Sequence, residues 1–129
     1  MAERRTIRSG PGRVLIAVYA IFALSATARA AVQIATKFSE APLAYLLSAL
    51  AGVVYIVATV ALARGLRPLA WGAVGFELLG VLTVGTLTLL VANDFPDDTV
   101  WSVYGRGYGF VPLVLPLVGL LWLRYTRPR

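Results

Sequence analysis

Four apolar runs joined by short polar connections take up most of this 129-residue chain. About 20 apolar residues in a helix cover the roughly 30 Å of hydrocarbon in a bilayer. Residues 14–36, 41–63 and 69–91 each reach that length. The fourth run, Phe110 to Leu123, is too short alone, so its helix is extended back to Arg106 and read as residues 106–123. In lipid every backbone N–H and C=O must find its partner inside the protein, which leaves helices as the spanning elements for such runs. The connections at residues 37–40 and 64–68 are short, so consecutive spans should be antiparallel neighbours. The expected fold is all-α, a four-helix up-and-down transmembrane bundle forming one domain over residues 14–123. Residues 1–13 precede it as a basic segment and residues 124–129 follow as a basic tail.

Composition supports lipid as the solvent. With 59% hydrophobic residues and a mean hydropathy of +0.79, the apolar side chains exceed what one small water-soluble core can bury. The chain has no cysteine and no histidine, which removes disulfides, thiol chemistry and the commonest zinc, haem and iron–sulfur ligands. No cofactor and no metal site is expected. The net charge of +6 comes from arginines that flank the apolar runs, which fits anionic lipid and not nucleic acid.

Those arginines set an orientation. Arg4, Arg5, Arg8 and Arg13 precede the first span, Arg64 and Arg67 join the second to the third, and Arg124, Arg127 and Arg129 follow the fourth. All fall on one side of a four-span chain. Lys37, the boundary residue Arg106 and the acidic loop of Asp94, Asp97 and Asp98 fall on the other. The positive-inside rule then places both termini in the cytoplasm of a multi-pass protein of the cell membrane. Trp71 and Trp122 at the inner ends, and Trp101 with Tyr104 at the outer boundary, read as interfacial anchors. The basic start, the apolar run and Ala28-Arg29-Ala30 imitate a cleavable signal peptide, but cleavage would leave three spans and no exported domain.

Two charges interrupt the apolar runs, Arg29 in the first and Glu77 in the third. A charge in hydrocarbon costs several kcal/mol unless something answers it, so such residues face a partner or a cavity. Counted from the cytoplasmic ends at about 1.5 Å per residue, Glu77 lies roughly 12 Å in and Arg29 roughly 22 Å in. Tilt and the long arginine stem narrow that gap, and an Arg29–Glu77 pair, joined by Gln33 or a water, is the expected polar site. Ser25, Arg29, Gln33 and Thr36 share one stripe of the first span, with Ala23, Thr27, Ala31 and Ala35 on roughly the opposite side. Ala44, Ser48 and Gly52 form a small-residue stripe on the second, where helices can approach closely. Tyr19, Tyr45 and Tyr55 lie within spans and should hydrogen-bond inside the bundle.

Residues 101–109, WSVYGRGYG, place glycine at every second position around Arg106, which disfavours a helix. Irregular backbone at membrane depth must face protein or a water-filled cavity. Two readings stay open: an outer vestibule lined by Tyr104, Arg106 and Tyr108, or a re-entrant loop that seats the fourth span. Pro112 and Pro116 remove backbone donors four residues apart and predict a bend in that span.

The stretches APLAYLLSALAGVVYIVATVALARG, FELLGVLTVGTLTLL and VWSVYGRGYGFVPLVLPLVGLLWLR resemble the small uncharacterised integral membrane proteins common in high-GC actinobacteria. That resemblance implies a four-helix inner-membrane protein and carries no activity, ligand or catalytic residue. Three function classes follow, in this order. The first is a non-enzymatic accessory or scaffold protein, packed in the lipid bilayer against itself as a homo-oligomer or against a larger membrane complex. The second is a proton- or cation-linked transporter or channel component acting as an oligomer. The third is a lipid-modifying enzyme, for which one embedded acid without histidine is thin equipment.

Overall fold

A computed structural model describes residues 10–40, 42–90 and 101–126 of the chain. Arg4, Arg5, Arg8, Arg127, Arg129 and the acidic loop of Asp94, Asp97 and Asp98 lie outside the described residues, as does the side chain of Tyr108. Four helices follow one another: α1 (Pro11–Lys37), α2 (Pro42–Ala63), α3 (Arg67–Leu90) and α4 (Val111–Tyr125). A short 3-10 turn at Phe38–Glu40 joins α1 to α2, and a 3-10 segment, Ser102–Tyr108, precedes α4. The first three helices are long and apolar enough to cross a membrane, whereas α4 is shorter.

Local chemistry accounts for the helix ends. Proline opens α1 and α2 and falls in the first turn of α3 and α4, where its missing N–H is one that a helix start leaves unbonded anyway. Between α2 and α3 the chain turns on Gly65, at φ 68°. The Gly65 amide donates to the Leu62 carbonyl at 3.3 Å and the Leu66 amide to Ala61 at 2.8 Å, the two bonds of a Schellman end. Three residues thus suffice to send α3 back antiparallel to α2.

Helices α1 and α2 pack along their length, α2 then packs on α3, and α3 packs on α4 and the 3-10 segment, while α1 meets α4 only slightly. The buried face of α1 is Leu15, Tyr19, Ala23, Ala26, Ala30 and Gln33, at steps of four, four, three, four and three. This differs from both stripes expected for α1, because Ser25, Thr36, Ala31 and Ala35 are exposed. The second expected stripe steps by four throughout and drifts around the helix, whereas the first has a seam's spacing and lies to one side of the buried face, sharing only Gln33 with it. On α2 the expected small residues Ala44, Ser48 and Gly52 are all buried. A Cβ on Gly52 would stand 2.9 Å from Thr27 Oγ1 and 3.3 Å from its backbone, so α1 and α2 run close there.

The fourth run is not one helix from Arg106. Val103, Tyr104 and Phe110 all have positive φ, as do Gly105 and Gly109, and the helix begins only at Val111. The left-handed turns fold the chain back before α4 starts, which explains its length of 15 residues, about 22 Å. Pro112 falls in its first turn and Pro116 lies inside it.

Outward, the helices present Val14, Ile21, Leu24, Leu79, Leu90, Leu121 and many other large apolar side chains, all exposed. Inside, three tyrosines and a tryptophan are closed off: Tyr19, Tyr45 and Tyr55 at 0% and Trp101 at 1%. This inversion of the usual soluble pattern agrees with a lipid surround.

Candidate functional site

Glu77 is fully buried, and its partner is Tyr19. The Tyr19 hydroxyl donates to Glu77 Oε1 at 2.5 Å, joining α1 to α3 across the bundle. That distance sits at the short end for a hydroxyl on a carboxylate. Glu77 Oε2 has no hydrogen-bond partner among the described residues. The Arg29–Glu77 pair expected from the sequence is therefore replaced by a Tyr19–Glu77 pair. Depth explains the change: counted from the starts of α1 and α3, Tyr19 lies about 12 Å in, Glu77 about 15 Å and Arg29 about 27 Å. The phenol stands level with the acid, whereas the guanidinium starts two turns beyond it. Arg29 is half-buried and makes its own contacts.

A small aromatic cluster surrounds the pair. Tyr55 of α2 lies 6.2 Å from the Tyr19 ring centroid and 5.5 Å from that of Phe22, the latter edge-on. The Trp101 indole N–H donates to the Tyr55 hydroxyl at 3.1 Å, with ring centroids 6.4 Å apart. Tyr19 and Tyr55 thus hydrogen-bond inside the bundle, as the sequence led us to expect. From α4, Gly119 completes the wall, since a Cβ there would come within 3.1 Å of Val74 and 3.2 Å of the Tyr19 hydroxyl.

Trp101 departs from its expected place as a boundary anchor. Its ring lies against Gly80, one helical turn beyond Glu77, where a Cβ would be 2.6 Å from the indole. Tyr104 uses Gly85 the same way, its ring occupying the place a Cβ would take. Its hydroxyl is 2.9 Å from Thr86 Oγ1, and the Val103 amide donates to Thr88 Oγ1 at 2.9 Å. The segment is held on α3 by rings set into two glycine notches and by two threonines. Arg106 is exposed, so of the residues grouped as an outer vestibule, Tyr104 packs inward and Arg106 points out. Trp71 is exposed, as an interfacial residue would be.

Gln33 is buried, and neither its Oε1 nor the Ser48 hydroxyl has a hydrogen-bond partner among the described residues. At the opposite end, Arg67 donates to the carbonyl of Thr126 at 3.3 Å, to its hydroxyl at 3.2 Å and to the Leu123 carbonyl. It thereby caps the last turn of α4, where a cation is favoured. No group of three or more His, Cys, Asp or Glu side chains converges among the described residues.

Chemically, the arrangement is a buried acid lodged among aromatic rings, with one donor and one oxygen that no described residue meets. It can hold helices in register or hold a proton. No protein-family model, curated protein or solved structure matches the chain.

Proposed function

We propose that the chain is a multi-pass protein of the cell membrane, with both termini cytoplasmic, acting as a non-enzymatic accessory or scaffold protein that packs against another membrane-embedded polypeptide. One observation carries this reading. The main neighbour of α1 is α2, with α4 meeting it only slightly, and Ser25 near the middle of α1 is exposed, off the buried seam of the helix. Polar and charged side chains at that depth face a protein partner far more often than acyl chains. Orientation is supported by Arg13, Arg64, Arg67 and Arg124, which the antiparallel helices gather at one end.

A photo-crosslinking residue at Ser25, with another at the lipid-facing position Leu121 as control, tests the proposal in cells. A discrete polypeptide adduct is expected at Ser25 and lipid adducts at Leu121. Lipid adducts alone at both positions would sink it.

A second reading, a proton-linked transport component acting as an oligomer, is favoured by Glu77 Oε2, which has no partner among the described residues, since buried polar atoms without partners are rare in folded proteins. Liposomes holding the protein and a pH dye decide it. Proton entry driven by a potential and abolished by Glu77→Gln would support transport, and no flux above empty liposomes would exclude it.

A further inference from the structure

We propose that the groove between α2 and α3, at the end of the bundle where the arginines gather, binds one acyl chain of an anionic phospholipid with its phosphate on Arg64. The groove is lined by Val53, Val57, Pro68, Leu69, Gly72 and Phe76 among others, all of them apolar, and has a volume of about 250 Å³. That is room for roughly eight groups of water size, a stretch of hydrocarbon chain and not a ring system. Its floor is open at Gly72, where an added Cβ would meet nothing within 4 Å.

Arg64 stands over this groove by helical phase. It follows Val57 by seven residues, two turns along one face. Its amide still donates to the Val60 carbonyl at 2.9 Å, so the helical path of α2 runs through it, and it is exposed. Arg67, the other cation of the turn, is directed to the end of α4 instead. One mouth of the groove is therefore basic and its body is hydrocarbon, which is the polarity of an anionic lipid lying along the helices.

Charge also argues against a second copy. A two-fold contact on this face, about an axis along the membrane normal, would hold Arg64 of both copies at the same depth, so like charges would share one end of the interface. Attraction between acyl chains and an apolar groove is no greater than between acyl chains themselves, so selectivity has to come from the headgroup. One basic side chain near the surface favours an anionic lipid by about fivefold.

This rests on the bilayer residence proposed above, and a chain recovered in the aqueous fraction without detergent would overturn that reading separately. The test is native mass spectrometry of delipidated protein given equal amounts of phosphatidylglycerol and phosphatidylcholine. One phosphatidylglycerol should be retained, about fivefold over phosphatidylcholine. Arg64→Gln should bring the ratio to parity, and Gly72→Leu, which fills the groove, should abolish retention with helix content unchanged. Arg124→Gln removes a charge of the same end at another helix and should leave the ratio as it was. Retention unaffected by both Arg64→Gln and Gly72→Leu would overturn the proposal. So would a dimer in the wild type that Gly72→Leu splits.

Discussion

Replacing Tyr19 by Phe removes one oxygen and, with it, the donor that answers Glu77. The acid is fully buried and Oε2 is already without a partner among the described residues, so Tyr19→Phe leaves the whole carboxyl bare. Removing one side of a buried hydrogen bond costs about 1–3 kcal/mol, more for a charged group. Interhelical hydrogen bonds in membrane proteins average nearer 0.6 kcal/mol, with a maximum of about 1.7. The short 2.5 Å contact and the burial put this one at the upper end, at about 1.5 kcal/mol. Glu77→Met strands the phenol in turn, while the double variant removes both polar partners and should recover most of either loss. A double-mutant cycle, read by reversible unfolding in mixed micelles, is expected to give a coupling of about 1–2 kcal/mol. The same cycle with Arg29→Leu in place of Tyr19→Phe should be additive within about 0.5 kcal/mol. Coupling of Glu77 to Arg29 and not to Tyr19 would refute the argument.

Gly80→Ala sets a carbon 2.6 Å from the Trp101 ring and should cost about 1–3 kcal/mol by overpacking, with a shift in Trp101 emission in a chain lacking Trp71 and Trp122. Gly75→Ala, where an added Cβ meets nothing within 4 Å, should stabilise α3 by up to about 1 kcal/mol in the same unfolding assay. Arg67→Met uncaps α4 and should cost about 1–2 kcal/mol, with hydrogen exchange at residues 120–126 rising ahead of the rest. Arg67→Lys should restore less than half of that, since a point charge cannot reproduce a forked donor.

The helices were legible because their signals are long. Span-length apolar runs and the short connections between them were enough, and the ends of α1, α2 and α3 fall within three residues of those expected. The polar site was half legible. Glu77 stands out as an acid among leucines, and counting depth along the helices already separates it from Arg29 by about 10 Å. The same count puts both Tyr19 and Tyr55 within a helical turn of the acid, so depth alone does not choose between the two phenols. What escaped was the segment before α4. Trp101 reads as a boundary residue by position, and only Gly80 and Gly85, ten and five residues before the end of α3, mark where rings can enter. Notches and rings are far apart in sequence, and no periodicity links them.

The shortness of α4 bears on how such a chain is made. Ribosomes deliver α1 first, so Tyr19 is in place before α3 emerges, and Glu77 arrives to a waiting donor. The fourth helix has no such independence. At about 22 Å it is too brief to span a bilayer alone, and in the membrane topology proposed above it would cross only with the help of the seat cut into α3. Its insertion is then a late step, conditional on the first three helices being assembled, and a defect at Gly80 or Gly85 would show itself first as a tail left on the wrong side.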